Sequence, residues 1–365
     1  MAKDNESGVP AAPVRKPTAK KTFSLNDFKK KIGGEDSPDK PLIWIPSSKA
    51  LQQSTGLPGF PKGYVSLARG FSNTGKSTAV CEGIVSAQKM GVLPVIIDTE
   101  NNLGNERLRK MGFDWDNEFF ILIDNEYLLN QFGKKQDPKR KEAAIEDMAA
   151  AMFFLIDQQE NGDLPYDLLF AIDSLGTLDC IKSINAQEKN TSDNNMWNAG
   201  AFEKSFKYML NNTIPNSRKE SKKYTNTVIG VQKIWIDSMG AGVVKHKGGE
   251  TFFYGSRLIY HFGGIAAHGA KKVTATSKSR DIAYGIEANV NVAKNQIDGP
   301  LGGISFEGKV VSTPHGFILP DKDSIEAYKK ENLGFFRDIL GTDVEVGDLG
   351  DKYTDFTKED TFEIG

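Results

Sequence analysis

Cysteine is almost missing from this chain: Cys81 and Cys180 are the only two in 365 residues. They form no metal or redox motif, so a disulfide framework, a zinc site and a thiol redox centre are all set aside, and both read as small buried residues. No apolar run approaches the length of a membrane span, and the opening Met1-Ala2-Lys3-Asp4-Asn5-Glu6 lacks the apolar stretch of a signal peptide. The expectation is a protein of a reducing cytoplasm with no membrane partner. No internal repeat is visible. A large net charge is missing too, the formal balance being −2. Hydrophobic content of 39% and charged content of 26% are ordinary for a globular chain, enough for one large core or two modest ones.

The near-zero balance hides an uneven distribution. Residues 15–31 carry Arg15, Lys16, Lys20, Lys21, Lys29, Lys30 and Lys31 against Asp27. Residues 341–365 carry Asp343, Glu345, Asp348, Asp351, Asp355, Glu359, Asp360 and Glu363 against Lys352 and Lys358. A basic arm and an acidic tail on one chain fit a polyanion partner and an internal competitor for it, or simply two solvated ends.

What is present is concentrated at residues 70–77. Gly70-Phe71-Ser72-Asn73-Thr74-Gly75-Lys76-Ser77 spell a complete Walker A phosphate loop, with Thr78 following. Its glycines let backbone N–H groups turn inward around a phosphate chain. Lys76 supplies positive charge to the β- and γ-phosphates, and Ser77 offers a hydroxyl to Mg²⁺. An apolar run, Tyr64-Val65-Ser66-Leu67-Ala68, precedes the loop, and a helical pattern from Ser77 to Val85 follows it. Strand, glycine loop and helix N-terminus form the context in which an anion is held. The motif predicts binding of a nucleoside triphosphate with Mg²⁺.

Apolar strands alternate with helical patterns from about residue 40 to 262, which predicts an α/β fold with a parallel sheet covered on both faces. The strands read as 64–68, 93–97, 168–172, 227–231 and 258–262, and the strongest helix as 142–158. Residues 270–320 change to short apolar runs split by glycines, predicting antiparallel strands. Ser24 is a plausible N-cap for a short amphipathic helix over 25–32, closed by Gly33-Gly34. The expected division is a basic arm with an oligomerisation helix at 1–39, an ATPase core at 40–320, and a C-terminal helix with the acidic tail at 321–365.

A triphosphate site that hydrolyses needs a carboxylate on the Mg²⁺ side and a group that orients or deprotonates water. Asp173, after the apolar run Leu168 to Ile172, fits the first as a Walker B residue. Glu100, ending Val95-Ile96-Ile97-Asp98-Thr99-Glu100, fits the second, because strand ends converge at the carboxyl edge of such a sheet. Gln232 ends a third strand, where an amide can sense a γ-phosphate. The segment after it runs from Lys233 to Gly249. It brings Lys233, Trp235, Met239, Lys245, Lys247, Gly248 and Gly249 into one long loop, with lysines to neutralise phosphates and Met239 or Trp235 to wedge or stack on bases.

Taken in order, Thr55-Gly56-Leu57-Pro58-Gly59-Phe60-Pro61-Lys62-Gly63-Tyr64, the Walker A loop, Ile97-Asp98-Thr99-Glu100, Ile172-Asp173-Ser174 and Val231-Gln232 resemble RecA/RadA-type strand-exchange recombinases. The likeness covers roughly residues 40–320 and is strongest to phage enzymes of the UvsX kind. It implies a RecA-type P-loop ATPase core that forms helical filaments on single-stranded DNA, pairs it with double-stranded DNA and hydrolyses ATP in a DNA-stimulated reaction. It also implies single-strand-binding or mediator proteins as further partners and a bacterial or phage-infected host cell. Carried over residue by residue, Lys76 and Ser77 hold phosphate and metal, Glu100 activates water, and Asp173 supports the metal. Gln232 couples the γ-phosphate to the second DNA loop, and Arg107 lies against the adenine. Lys294, Asp298 and Pro300 resemble the cap that a neighbouring subunit lays over ATP, and Tyr254 the aromatic that links adjacent subunits. The first DNA loop falls at about 179–200, with Lys182, Lys189, Asn194, Asn195 and Trp197.

Several features depart from that pattern. The first loop has no arginine, and residues 125–141 and 213–226 read as insertions. Neither an N-terminal helix-hairpin-helix domain nor a C-terminal globular domain after residue 320 is visible. Lys271, Lys272, Lys278 and Arg280 fit a second DNA contact or a solvated hairpin equally. The main rival is a RecA-fold hexameric helicase or motor, which shares Lys76, Glu100 and Asp173. A non-enzymatic ATP-gated DNA-binding protein is a further alternative, which has no need of Glu100.

Overall fold

The apolar runs sort by alternation into two cores on opposite faces of one sheet. In β4 (Leu93–Asp98), Ile96 joins one core while Val95 and Ile97 join the other. In β6 (Leu168–Leu175), Leu169 and Ala171 pack on the first face and Leu168, Phe170 and Ile172 on the second. Because side chains alternate across a strand and both faces are covered, residues 93–97 and 168–172 are apolar throughout, and the runs read as continuous. Each such Leu, Ile or Phe contributes roughly 1.5–3 kcal/mol by leaving water. The structure, a computed structural model, describes residues 24, 37–189, 191, 196–236, 244–246, 249–263, 270–277 and 280–355. The described residues from Asp39 onward form one compact unit.

The parallel part of the sheet runs β5-β4-β6-β7-β3-β9, adding β3 (Val65–Gly70), β5 (Ile121–Asp124), β7 (Asn226–Ile236) and β9 (Leu258–Phe262). All of its neighbouring pairs are parallel. A separate small antiparallel pair joins β1 (Trp44–Pro46) to β2 (Gly59–Pro61), with α1 (Lys49–Thr55) between them. The phosphate-loop helix α2 (Lys76–Lys89) covers the first face with its buried Val80 and Ile84. On the second face lie α4 (Ile145–Asn161), α6 (Met196–Tyr208) and α7 (Gly249–Gly255), contributing Met152, Phe206 and Phe252 to its core. This is the predicted mixed α/β architecture.

Past β9 the sheet turns antiparallel. Strand β11 (Arg280–Asn295) pairs with β9, with β10 (Ala270–Ser277) and with β12 (Glu307–Thr313), which in turn pairs with β13 (Gly316–Ile318). Helices α8 (Lys322–Glu331) and α9 (Leu333–Leu340) close a third core, in which Tyr328 and Phe336 meet Val273, Tyr284 and Val311. The region read as an acidic tail is built into the fold at its start: β14 (Gly350–Asp355) pairs with β10. Its anchor is Asp351, which takes an ion pair at 2.7 Å from the buried Lys329 and a hydrogen bond at 2.9 Å from the Tyr284 hydroxyl. The acidic residues Glu359, Asp360 and Glu363, like the helix expected over 25–32, lie outside the described residues.

Several boundaries differ from expectation, two of them for local reasons. Helix α4 starts at Ile145, three positions later than read, because the Asp147 carboxylate accepts the Ala144 N–H at 2.8 Å and caps the helix from within. Strand β7 runs on past Val231 because Ile234, Trp235 and Ile236 pair with β8 (Val244–His246). The segment at 125–141 is helical over 125–136 and is tied down by Arg140, whose guanidinium grips the buried Asp147 in a two-pronged ion pair. Asp147→Ala leaves that guanidinium buried and unpaired, and is expected to cost about 3–5 kcal/mol. Denaturant titration of the variant beside wild type measures that loss directly.

Candidate nucleotide-binding site

The carboxyl edge of the parallel sheet gathers the expected chemistry. Gly70, the last residue of β3, is in register with Lys233 of β7, and Asp98 of β4 with Asp173 of β6. The phosphate loop leaves β3 at Gly70, where a Cβ would stand 2.2 Å from the Phe262 carbonyl oxygen, so only glycine fits. Ser72 is exposed, and Asn73 takes the left-handed conformation that asparagine tolerates (φ 55). Gly75 closes the loop at φ 101, with a Cβ position 2.9 Å from the Phe317 ring of β13. Glu82 of α2 holds that hairpin in place, accepting N–H groups from Phe317 and Ser48 at 2.9 Å each.

Inside the loop, Lys76 is buried and its ammonium donates to the carbonyl of Phe71, which also accepts from the Thr74 hydroxyl at 2.9 Å. Burial lowers the Lys76 pKa to about 8, although the Asp173 carboxylate opposes that fall. Asp173 is itself fully buried, and burial pushes its carboxyl up to about 6 while the Ser77 hydroxyl offsets part of the rise. Neither of its oxygens finds a hydrogen-bond partner of good geometry. Two orphaned acceptor oxygens beside the Ser77 hydroxyl suit a hard, oxygen-seeking cation such as Mg²⁺, which keeps most of its ligands as water and phosphate. A cluster of three or more His, Cys, Asp or Glu side chains able to cage a metal is absent among the described residues.

Thr99 fixes the two carboxylates side by side. Its N–H donates to the Asp173 carbonyl at 2.9 Å, and its hydroxyl oxygen accepts the Ser174 N–H at 3.2 Å. Glu100 follows directly. It accepts from Thr177 at 2.8 Å, from Ser174, from Asn102 at 2.6 Å and from the Lys233 ammonium at 2.7 Å. Burial raises its pKa, but the bonds from Lys233, Ser174 and Thr177 outweigh that and leave it below its ordinary value. Sequence reading gave no role to Ser174 or Thr177. Ser174 stands inside a quoted motif, whereas nothing in the sequence signals that Thr177 returns to Glu100.

Arg107, on α3 (Asn105–Lys110), donates to the Thr78 hydroxyl at 2.6 Å, and Thr78 shares a 2.5 Å contact with Ser312 of β12. The arginine therefore flanks the loop next to its last residue. Gln232 is fully buried in β7, in register with Arg69 of β3.

The residues read as a cap lie elsewhere. Asn295 of β11 is in register with Leu258, and Leu258 with Ser66, which places this end of β11 at the amino edge of the sheet. Asp298 accepts the Tyr64 hydroxyl at 3.1 Å and faces Arg218 at 3.9 Å, while that guanidinium covers the Tyr64 ring at 4.0 Å. Pro300 is exposed, as is Tyr254 at the end of α7. The Lys294 ammonium caps α7 by donating to the Phe253 and Tyr254 carbonyls at 3.1 and 3.2 Å. From Tyr64 to Gly70 the strand rises roughly 20 Å at 3.3 Å per residue. The cap and the phosphate loop of one chain thus sit at opposite sheet edges.

The expected first DNA loop is largely helical, because α5 (Ile181–Glu188) and α6 supply most of it. Lys182 covers the Trp197 ring at 4.0 Å, and Lys189 is an exposed C-cap. In the second, Trp235 is 41% exposed opposite Lys245 of β8, and Gly249 begins α7. Asn194, Asn195, Met239, Lys247, Gly248 and Lys278 fall outside the described residues. Lys233 forms an ion pair with Glu100 at 2.7 Å.

With this geometry in view, known proteins add one piece. The Protein RecA of Mesomycoplasma hyopneumoniae (strain 7448) is 31% identical over 101 residues, 26% of this chain and 30% of the relative. The Protein RecA of Streptomyces avermitilis is 34% identical over 91 residues (25% and 24%), and that of Corynebacterium aurimucosum 36% over 88 residues (24% and 23%). Over that stretch the chain is similar to RecA proteins. It spans under a third of the length of these curated relatives. No protein-family model matches the chain. Among the described residues, no helix is long and apolar enough to cross a membrane.

The buried Asp173 makes a testable contribution to stability. Its folded pKa is near 6 against 3.8 unfolded, so the folded state holds the proton more tightly between those values and loses stability as pH rises through them. Asp173→Asn abolishes that loss. In EDTA and without nucleotide the variant is expected to be about 3 kcal/mol more stable than wild type at pH 7.5, and the difference is expected to shrink below about 1 kcal/mol at pH 4. Thermal melts at the two pH values decide it.

Proposed function

We propose that this chain is an ATP-dependent DNA recombinase that forms filaments on single-stranded DNA and promotes homologous pairing and strand exchange, with DNA-stimulated ATP hydrolysis. The observation that carries this reading is the separation of site and cap. Lys76, Ser77, Asp173 and Glu100 share the carboxyl edge, while Lys294, Asp298 and Pro300 occupy the amino edge. One chain cannot close its own site with those residues, but a neighbour stacked head to tail can. A heterologous contact of that kind propagates into a filament unless its rotation closes a ring. The partial similarity to RecA proteins supports the same reading, and the ordered motifs favour a phage enzyme of the UvsX kind.

The chain's own groups then take these roles. Backbone N–H groups of 70–77 and the α2 N-terminus cradle the phosphates. The Lys76 ammonium exchanges the Phe71 carbonyl for a phosphate oxygen. Ser77 and Asp173 would hold Mg²⁺, whose charge offsets that of the β- and γ-phosphates. Glu100 accepts a proton from a water whose oxygen bonds to the γ-phosphorus as the bond to the β-phosphate oxygen breaks, giving ADP and phosphate. Arg107 lies along the adenine, with Tyr254 at the joint between subunits. Gln232 reports the γ-phosphate to the β7–β8 hairpin, and Lys182, Lys189, Trp197, Trp235, Lys245 and the lysine-rich segment grip DNA. Mediator or single-strand-binding proteins are further partners.

Lys76→Ala is expected to abolish ATP binding and DNA-stimulated turnover, and unchanged turnover would remove the site assignment. Glu100→Gln should lower turnover about 10²–10⁴-fold yet keep ATP bound. Electron microscopy of that variant with ATP, Mg²⁺ and single-stranded DNA should show open helical filaments. Closed rings would instead favour a helicase-type motor.

A further inference from the structure

Both oxygens of Glu100 are already engaged. Oε1 accepts from Ser174 and Thr177, and Oε2 from Asn102 and Lys233. A general base needs a lone pair free to face its water, and donors on a carboxylate lower its basicity. Held this way, Glu100 is poorly placed to take a proton. Three of the donors are neutral and come from the ends of β4 and β6, beside the carboxylate itself. The fourth is a cation from a different element. Lys233 follows Gln232 on β7, the strand that continues through Trp235 into the hairpin with β8. Its side chain is 34% exposed against 12% for Glu100, so the lysine is the more accessible member of the pair.

We propose that Lys233 is a positioning residue that latches Glu100 in the DNA-free protein, and that a phosphate of single-stranded DNA releases the latch by drawing the ammonium away. This rests on the ATPase reading above and adds to it a source for DNA stimulation. A partly exposed ion pair is weak enough for a phosphodiester to compete. Lys233 is also in register with Gly70, so its movement is made at the mouth of the phosphate loop. Gln232 and Lys233 point to opposite faces of β7. The strand therefore reads two anions: the nucleotide through the buried amide, and DNA through the half-exposed ammonium. A segment that grips DNA is in this way wired to the base by one side chain.

The test is ATP turnover by the full chain, with and without a poly(dT) oligonucleotide, in wild type, Lys233→Ala, Lys233→Gln and Lys233→Arg, with melting curves confirming the folded state. Both neutral variants should raise DNA-free kcat roughly tenfold with KM for ATP little changed, and the stimulation by DNA should shrink in proportion. Lys233→Arg should restore a low DNA-free rate, which a loss of mere packing would not. A DNA-free kcat at or below the wild-type value in both neutral variants, with wild type still DNA-stimulated, overturns the latch alone. A wild type that hydrolyses no ATP under any of these conditions overturns the ATPase reading and the latch with it.

Discussion

A lysine ammonium buried at the edge of a sheet must be neutralised, and the arrangement around Lys76 follows from that requirement. Burial is the main cause that brings its pKa down to about 8, and the counter-charge that most opposes the fall is Asp173, itself buried and raised to about 6. Glu100 and Lys233 add a second pair of opposite charges that both act on Lys76. The cluster is balanced but costly, because neither Lys76 nor Asp173 has the partner its chemistry prefers. Lys76 makes do with a carbonyl of its own loop, and the Asp173 oxygens have only the Ser77 hydroxyl beside them, without good hydrogen-bond geometry. On the proposed reading, a triphosphate with a divalent cation would supply an anion for the first and a cation for the second.

The sheet distributes these demands in space. Parallel strands put all their carboxyl ends on one edge, so Gly70, Glu100, Asp173 and Lys233 converge without any long connection between them. The same parallel order sends the start of β3, with Tyr64, Arg218 and Asp298 around it, to the opposite edge. On the proposed reading, residues of the site and of the cap lie at two ends of one layer, so that a stack of chains would complete the nucleotide site. Under that proposal, hydrolysis would respond to whatever orders the subunits, and single-stranded DNA would be a ligand long enough to do so.

How much of this could be read in the sequence depended on where each constraint lies. The strands buried on both faces were legible because both cores demand apolar side chains at every position. Strand β5 was not, since its four residues are short and half open to solvent. Strand β14 was invisible for a stronger reason: all its residues are exposed and most are polar, and it exists because β10 offers an edge and Lys329 neutralises Asp351. At the site, Lys76, Asp173 and Glu100 were legible as strand-end and loop chemistry. The partners of Glu100 were not, because Lys233 reaches it from 133 positions away and Thr177 from 77. Tertiary pairing brings those groups together, and no local pattern encodes it.

The central claim is that nucleotide state controls the grip on DNA through one connected edge of the sheet. The direct measurement is the affinity for a fluorescent poly(dT) oligonucleotide, by anisotropy at fixed salt, with Mg²⁺ and either a non-hydrolysable ATP analogue or ADP. The account predicts markedly tighter binding with the ATP analogue, and a return to weak binding when ADP replaces it. Equal affinity in the two nucleotide states would contradict it.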